Sequence, residues 1–497
     1  MLTSVQDIGM ISVIKVASSC LTSADYAVLK AAQERAQQGG RSALLVDLQA
    51  VRRITQSGLA ALLEFQSETP RTGAVGFFGA RRPVREAIAK RGLSPLLPLF
   101  ESQEDALESP EFRIKRLAGV KSVILVAGAG SRMAPLTQEM PKPMLDMLGH
   151  PIIAHLMRHM QRFGLRDFIL NPGHLGSEFH AFFQSSADRS VQFVNEGHYQ
   201  GKSWIKAPVG SAGTLHAIQR KTSAFDGNFF VLCGDALTDI NLADMMEQHR
   251  VRDADVTIAV QQVPVEDVHK YGIVDANAVG RIMGFVEKPE PENAPSNLAS
   301  VGIYIFNPRV LKSAPLSAAH GGDIGKDLLP ALLLSGGRLD IYEDSFSWID
   351  IGCVRDYYRA NSLGLRGLLP DVQPEGTEIR RKVWCAPGAD VDPRAIIVGP
   401  CHIGPGAVVE AGAKIEGPSV ISAGARVCVR ALVRRSIVMP DSCVTPGTWV
   451  DDMIVCGDWA IDHRFADGTA QICPPLEGVV RVAAACEYPQ TAGGQGR

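Results

Sequence analysis

Gly128-Ala129-Gly130-Ser131-Arg132 stands directly after the apolar run Val123-Ile124-Leu125-Val126-Ala127. Such a run reads as a buried strand, and a glycine turn at its end lets backbone N–H groups approach a phosphate closely. The turn alone is a weak signal. It lacks the third glycine of a dinucleotide fingerprint and the Gly-Lys-Ser/Thr of a P-loop. Pro135, Thr137, Pro141, Lys142 and Pro143 follow it closely. Further on, Asp235 and Asp350 each end an apolar strand run, which is where α/β proteins place ligands. A glycine turn, basic side chains and strand-end carboxylates are the parts of a local trap for small polyanions.

Together the first residues form the string Gly-x-Gly-Ser-Arg-x-x-Pro-x-Thr-x-x-x-Pro-Lys-Pro-Met. It resembles the signature of the sugar-1-phosphate nucleotidyltransferases. The resemblance continues, in family order, through Pro208-Val209-Gly210-Ser211-Ala212-Gly213-Thr214-Leu215 and Gly234-Asp235-Ala236-Leu237-Thr238-Asp239. It goes on to Tyr271-Gly272-Ile273-Val274, Glu287-Lys288-Pro289 and Trp348-Ile349-Asp350-Ile351-Gly352. The reaction it implies is attack of a sugar 1-phosphate on the α-phosphorus of a nucleoside triphosphate, with pyrophosphate leaving. The nucleophile is already largely dianionic at neutral pH, so no general base is required. Positioning and electrostatics carry such a transfer.

The resemblance assigns roles. Arg132 clamps the β- and γ-phosphates, Lys142 steadies the α-phosphate, and Lys288 holds the sugar phosphate. Asp235 and Asp350 hold Mg²⁺, which suits carboxylates and bridges to phosphates. Ala127, Gly128, Gly130, Ser131 and Gly234 belong to the nucleotide site. Gly210 and Gly213 line the base, and Gly272 and Glu287 line the sugar. One position departs: many members carry Asn-Ala-Gly where this chain reads Ser300-Val301-Gly302. The Gly-Ser-Ala-Gly turn and the Gly-Asp-Ala-Leu-Thr-Asp string look most like mannose-1-phosphate guanylyltransferases. GTP with mannose 1-phosphate is therefore the expected pair, giving GDP-mannose. Thymidylyl- or uridylyltransfer to glucose 1-phosphate is the alternative, and a regulatory protein on a transferase fold is a second one.

The elements around these residues divide the chain into segments. Residues 1–115 alternate short strands and helices, with strands at 10–16, 43–48 and 74–78. Apolar residues at helical spacing (Tyr26, Leu29, Ala32) mark a helix between the first two. This segment resembles a STAS domain, carried by Leu44-Leu45-Val46-Asp47-Leu48 and Ile54-Thr55-Gln56-Ser57-Gly58-Leu59. Ser57 matches a serine phosphorylated in some members, while Thr55 and Gln56 replace the usual aspartate and first serine. Ser57 is read as a helix N-cap, either as a plain cap or as a regulatory phosphosite where phosphate meets free N–H groups. A signalling protein is the partner this segment implies.

Residues 116–370 read as a parallel, doubly wound sheet, with strands at 123–127, 229–233, 256–260 and 301–306. Residues 371–460 change period. Every sixth residue from Cys385 through Val391, Ile397, Ile403, Val409, Ile415, Ile421, Val427 and Val433 to Met439 is apolar. The residue four further on is almost always small, as at Ala407, Ala413, Ala425 and Ala431. That is the mark of stacked coils, resembling the left-handed hexapeptide β-helix. Such a stack favours oligomerisation, here a homo-oligomer, or contact with the catalytic segment. His402 is the single histidine inside the repeat, which argues against an acyltransferase. Residues 461–497 lose the period and read as a tail, mobile at 491–497.

Composition bounds the rest. Among 497 residues, 50 Lys+Arg stand against 53 Asp+Glu, a net charge of −3. Such balance is not built to coat nucleic acid. No basic run precedes an apolar stretch at the N-terminus, and no apolar run reaches the roughly 18 residues of a membrane span. The expected location is the cytoplasm, where the ten cysteines, none in a C-x-x-C pair, stay as thiols.

Overall fold

The computed structural model describes residues 4–68, 73–185, 191–201, 203–313, 322–369, 371–464, 472–473 and 479–481. Two compact units result. The first comprises Met1–Lys121 with Met160–Asp167 and Leu242–Glu247, and the second comprises Ser122–His159, Phe168–Asn241 and Gln248–Arg497.

The first unit is built on a five-stranded sheet, β1 (Ser4–Ile8), β2 (Ile11–Lys15), β3 (Ala43–Asp47), β4 (Ala74–Phe78) and β5 (Leu99–Phe100), in that spatial order. β1 and β2 form an antiparallel hairpin, and the other pairs are parallel. Helices α1 (Ala24–Gln38), α2 (Gln56–Ser67) and α3 (Arg82–Ala89) bury helically spaced stripes against it. Leu29, Ala32 and Ala36 of α1, Leu59, Leu62 and Phe65 of α2, and Val84 and Ile88 of α3 share one core with Val46 and Phe77. One expectation is corrected here. The N-cap of α2 is Thr55, not Ser57: Thr55 is extended, and its hydroxyl accepts the Gly58 N–H at 3.0 Å. Ser57 is an exposed residue in the first turn, its Oγ 3.0 Å from Thr55 Oγ1.

The second unit carries β6 (Lys121–Leu125), β7 (Asp167–Leu170), β8 (Val191–Phe193), β9 (Phe229–Cys233), β10 (Ala236–Thr238), β11 (Val256–Gln262), β12 (Gly272–Ala276), β13 (Ile282–Glu287), β14 (Leu298–Phe306), β15 (Leu339–Glu343) and β16 (Trp348–Asp350). The main sheet runs β8-β7-β6-β9-β14-β11-β15, with the β12–β13 hairpin attached to β14. It is mixed rather than wholly parallel, because β14 runs antiparallel to both β9 and β11. The continuous apolar run of β14 gives no sign of direction, so the sequence pattern misses this. Of the helices α4 (Ile152–Gln161) and α5 (Ser211–Thr222), α5 packs in the main core of this sheet. Val231, Ile258, Tyr304 and Phe306 meet Ala212, Leu215 and Ile218 there. No helix among the described residues is long and apolar enough to cross a membrane.

The coils that follow stack as three parallel sheets, and together they form a β-helix. Strand pairing places Cys385 on Ile403 and Ile403 on Ile421, while Val391 lies on Val409 and Ile397 on Ile415. Ile403, Ile415, Ile421, Val427, Val433, Ala413 and Ala431 are fully buried in one core. Each such valine or isoleucine contributes about 1.5–3 kcal/mol over an exposed one. The expected inward Met439 is a correction: Val438 pairs with Ile421 instead. The coil closing there is one residue shorter, so the period slips. Met439 turns to a separate core, where Met147, Leu148 and Val354, Tyr357 and Ala360 of α6 (Val354–Leu365) meet Val420, Ile437 and Ile454. His402 is fully buried, its Nε2 3.1 Å from the Glu375 carbonyl. The expected tail needs correcting too. Ile472–Cys473 and Val479–Arg481 are strands that pair antiparallel onto the coils. Residues 491–497 lie outside the described residues.

Candidate active site

The glycine turn leaves the end of β6 as expected. Gly130 sits at φ +61, and a Cβ there would lie 3.1 Å from Lys142 Cβ and 3.2 Å from Thr137 Cγ2. Only glycine suits both the dihedral and the space. The Thr137 hydroxyl donates to the Gly130 carbonyl at 2.9 Å and pins the turn. Gly234 backs it from β9: its N–H donates to the Leu125 carbonyl at 3.0 Å, and a Cβ would stand 2.7 Å from Val126.

Lys142 begins a short 3₁₀ turn and is buried. Its Nζ lies 2.6 Å from Asp235 Oδ2 and 3.9 Å from Asp350 Oδ1. The two carboxylates meet because β10 and β16 pair antiparallel, with Ala236 opposite Asp350. Burial, then the neighbouring Asp235 charge, pushes Asp350 up to about 6, against the pull of Lys142 and Arg132. Burial and then the Asp350 charge push Tyr271 up to about 12. The turn behind Asp350 is held by Asp356, which accepts N–H bonds from Gly352 at 3.2 Å and Cys353 at 3.1 Å.

A cavity of about 500 Å³ opens over this floor, lined by Ala127, Gly128, Gly130, Ser131, Arg132, Lys142, Gly210 and Asp235 among the expected residues. Gly210 sits at φ +78, where a Cβ would meet the Gly322 carbonyl at 2.5 Å. The N–H groups of Ala212 and Gly213 donate to that same carbonyl at 2.8 and 3.2 Å, so the loop is sewn to the segment after it. Gly272, Glu287 and Lys288 gather separately. β12 and β13 place Gly272 opposite Glu287, and a Cβ on Gly272 would stand 2.3 Å from Phe285 Cζ and 2.8 Å from Glu287 Oε2. Lys288 sits at φ +52, its Nζ 3.4 Å from Glu287 Oε1 and its side chain 56% exposed. At the departing position, Ser300 Oγ donates to Tyr304 Oη at 3.1 Å.

The sequence reading missed Asn171, Glu196 and Cys233, which also line the cavity. None stands in a motif string, and only the fold brings them there. The buried Glu196 carboxylate accepts from Asn171 Nδ2 at 2.7 Å, from the Thr214 hydroxyl, and from the Val209 N–H at 3.1 Å. Burial, then the charges of Asp235 and Asp350, pushes the Cys233 thiol up, which makes it a poor nucleophile.

Asp235 and Asp350 fit a hard divalent cation. Two crowded carboxylates, one with its pKa raised by the other, gain from a shared positive charge. Among the described residues no third acidic, histidine or cysteine ligand joins them. Two carboxylates are a donor set that suits Mg²⁺, which keeps waters and takes substrate oxygens for its remaining positions.

Residues 121–366 match the nucleotidyl transferase family, and residues 3–106 match the STAS domain. A UTP–glucose-1-phosphate uridylyltransferase of Synechocystis sp. is 36% identical over 70% of this chain and 90% of its own length. A mannose-1-phosphate guanylyltransferase of Mycobacterium tuberculosis is 30% identical over 57% of this chain and 75% of its own. A glucose-1-phosphate adenylyltransferase of Bacillus mycoides is 30% identical over 48% and 66%. With a glycine-walled cavity over a Lys142-bridged pair of carboxylates, and with these relatives named as uridylyl-, guanylyl- and adenylyltransferases of sugar 1-phosphates, the chain belongs to the sugar-1-phosphate nucleotidyltransferases and carries a STAS domain at its N-terminal end.

Proposed function

We propose that the second unit joins GTP and mannose 1-phosphate to give GDP-mannose and pyrophosphate. The transfer itself is carried by one observation: a buried lysine holds two facing carboxylates at the floor of a cavity walled by glycine turns. In this reading the turn at Ala127, Gly128, Gly130 and Ser131, backed by Gly234, takes the triphosphate with its N–H groups. Arg132 meets the β- and γ-phosphates with its fork, and Lys142 meets the α-phosphate. Asp235 and Asp350 hold Mg²⁺, which when bound neutralises the charge building on the leaving pyrophosphate. Lys288 orients the sugar phosphate, and Gly272 and Glu287 hold the sugar. No residue has to remove a proton, since the attacking phosphate is already anionic.

Glu196 supports guanine at the Gly210–Gly213 loop. Guanine presents its N1–H and its 2-amino group side by side, so a buried carboxylate meets only donors there. Uracil flanks its single N3–H with two carbonyl oxygens, which an anion repels. A second reading, uridylyl transfer to glucose 1-phosphate, is favoured by the 36% identity to the uridylyltransferase across 90% of that protein. Pyrophosphate release measured over a matrix of GTP, UTP, dTTP and ATP against mannose and glucose 1-phosphates decides between them. No release in any combination overturns both, and leaves a regulatory protein on a transferase fold.

The other parts have proposed roles in the same scheme. The proposed domain limits are 1–115, 116–370 and 371 onward, the strands at 472–473 and 479–481 being counted with the coils they pair with. The β-helix serves structure and self-association, in a cytoplasmic enzyme. The STAS domain docks a signalling protein, with exposed Ser57 as the candidate phosphosite. A Ser57→Ala chain with unchanged partners and regulation in cells removes the switch.

A further inference from the structure

We propose that Asn171 is a positioning residue that sets nucleotide selectivity, by spacing the base-reading carboxylate from the phosphate turn. The proposal rests on the reading of Glu196 as the group that meets the base.

Asn171 follows β7 directly and is 2% exposed, yet it lines the cavity. Its Oδ1 accepts the Val126 N–H at 2.7 Å, and its Nδ2 donates to Glu196 Oε1 at 2.7 Å. Val126 is the last residue but one before Gly128, so one amide ties the root of the phosphate turn to Glu196. The next residue strengthens the grip, because the Pro172 carbonyl accepts the Glu196 N–H at 2.8 Å. These partners also decide the side-chain type. Val126 offers a donor and Glu196 an acceptor, so the bridge must accept on one side and donate on the other. A primary amide on a short stem does both. Aspartate keeps the acceptor but sets a second anion against Glu196. Serine or alanine is too short to span both, and leaves the Val126 N–H without its partner or Glu196 Oε1 with the Thr214 hydroxyl alone.

A nucleotide reaches from its base to its phosphates across this same bridge. A shift of Glu196 relative to the turn therefore spoils one end whenever the other is seated, which is how small misplacements cost large factors. The sugar-phosphate side is an internal control. Gly272, Glu287 and Lys288 lie on or beside β12 and β13, and Asn171 makes no hydrogen bond to them.

The test uses the full chain with Asn171→Asp, Asn171→Ser, Glu196→Gln and the double Asn171→Asp/Glu196→Gln variant. Steady-state pyrophosphate release gives kcat and KM for each of four nucleoside triphosphates and for the sugar phosphate, and a thermal melt confirms folding. The expected result for Asn171→Asp is a KM for the preferred nucleotide raised about tenfold or more. Its preference over the other nucleotides shrinks, while the sugar-phosphate KM stays within about twofold. Added to Glu196→Gln, the Asn171→Asp change costs less than it does in the unaltered chain, since the amide at position 196 can then donate to the carboxylate at position 171. Where Asn171→Asp does not fold, Asn171→Ser carries the same comparison. Unchanged nucleotide ratios in the folded Asn171 variants, or equal rises in both KM values, overturn the proposal. If Glu196→Gln shifts the ratios in that case, the base reading survives it. If Glu196→Gln leaves the ratios unchanged, the base reading falls and this proposal falls with it.

Discussion

Replacing Asp235 by asparagine separates the chemistry of the site from its stability. At 2.6 Å and an effective dielectric near 20, the Asp235–Lys142 attraction is about 6 kcal/mol gross. Desolvation of both ions offsets most of that. An orphaned buried lysine would cost about 3–5 kcal/mol, but Lys142 is not orphaned here. Asp350 stands 3.9 Å away with its pKa raised to about 6, partly by the Asp235 charge. Once that charge is gone, Asp350 ionises more readily and takes over the lysine. The expected loss of stability is then about 1–2 kcal/mol, a fall of a few degrees in Tm. Turnover has no such substitute, because one carboxylate cannot hold the cation that two hold. Loss of a preorganised charge-stabilising group costs about 10²–10³ in kcat. The assay is Mg²⁺-dependent pyrophosphate release, with kcat and KM taken separately beside a melt. Turnover within tenfold of the unaltered protein would refute the metal assignment. A Tm loss beyond about 10 °C would refute the handover to Asp350.

Other outcomes follow from the same geometry. Chelation with EDTA abolishes turnover and added Mg²⁺ restores it; turnover that persists in excess chelator rejects the carboxylate site. Burial holds His155 and His402 neutral, each at about 4 instead of 6.5. The unfolded chain therefore takes up their protons first, and stability falls as pH drops from 6.5 towards 4. Asp146 and Asp350, each raised to about 6 chiefly by burial, act in the opposite sense between 3.8 and 6 and cancel part of the fall. His402→Gln keeps a donor for the Glu375 carbonyl and removes one histidine's share, so its urea midpoint drops less between pH 7 and pH 5. An equal drop in both proteins counts against the histidine. Ile415→Ala, at a fully buried inward position, costs about 2–5 kcal/mol with kcat unchanged. A loss below about 1 kcal/mol by chemical denaturation would show that the coil interior is not tightly packed.

Much of the site was readable from local chemistry. Gly130 is required by a left-handed turn against Lys142 and Thr137, and such a need leaves a mark at one position. The apolar run before it announces a strand whatever its neighbours are. The fold was less legible where direction and pairing matter. β14 is apolar throughout, so nothing in its pattern tells that it runs antiparallel to β9 and β11. Thr55 and Ser57 are both good caps, and only backbone geometry gives the place to Thr55. A coil shortened by one residue turned Val438 inward and sent Met439 to the junction with α6.

The sequence by itself determined which groups this protein has for handling phosphates: a glycine turn, two lysines, an arginine and two strand-end aspartates in a recognisable order. Those properties belong to single residues and their near neighbours, so they survive in a string of letters. The tertiary structure alone decided who meets whom. Lys142 reaches Asp235 and Asp350 through the pairing of β10 with β16, and Asn171 joins Val126 to Glu196 across strands far apart in the chain. Hydrogen bonds and Coulomb forces act over a few ångströms of space, and the chain order does not record that distance.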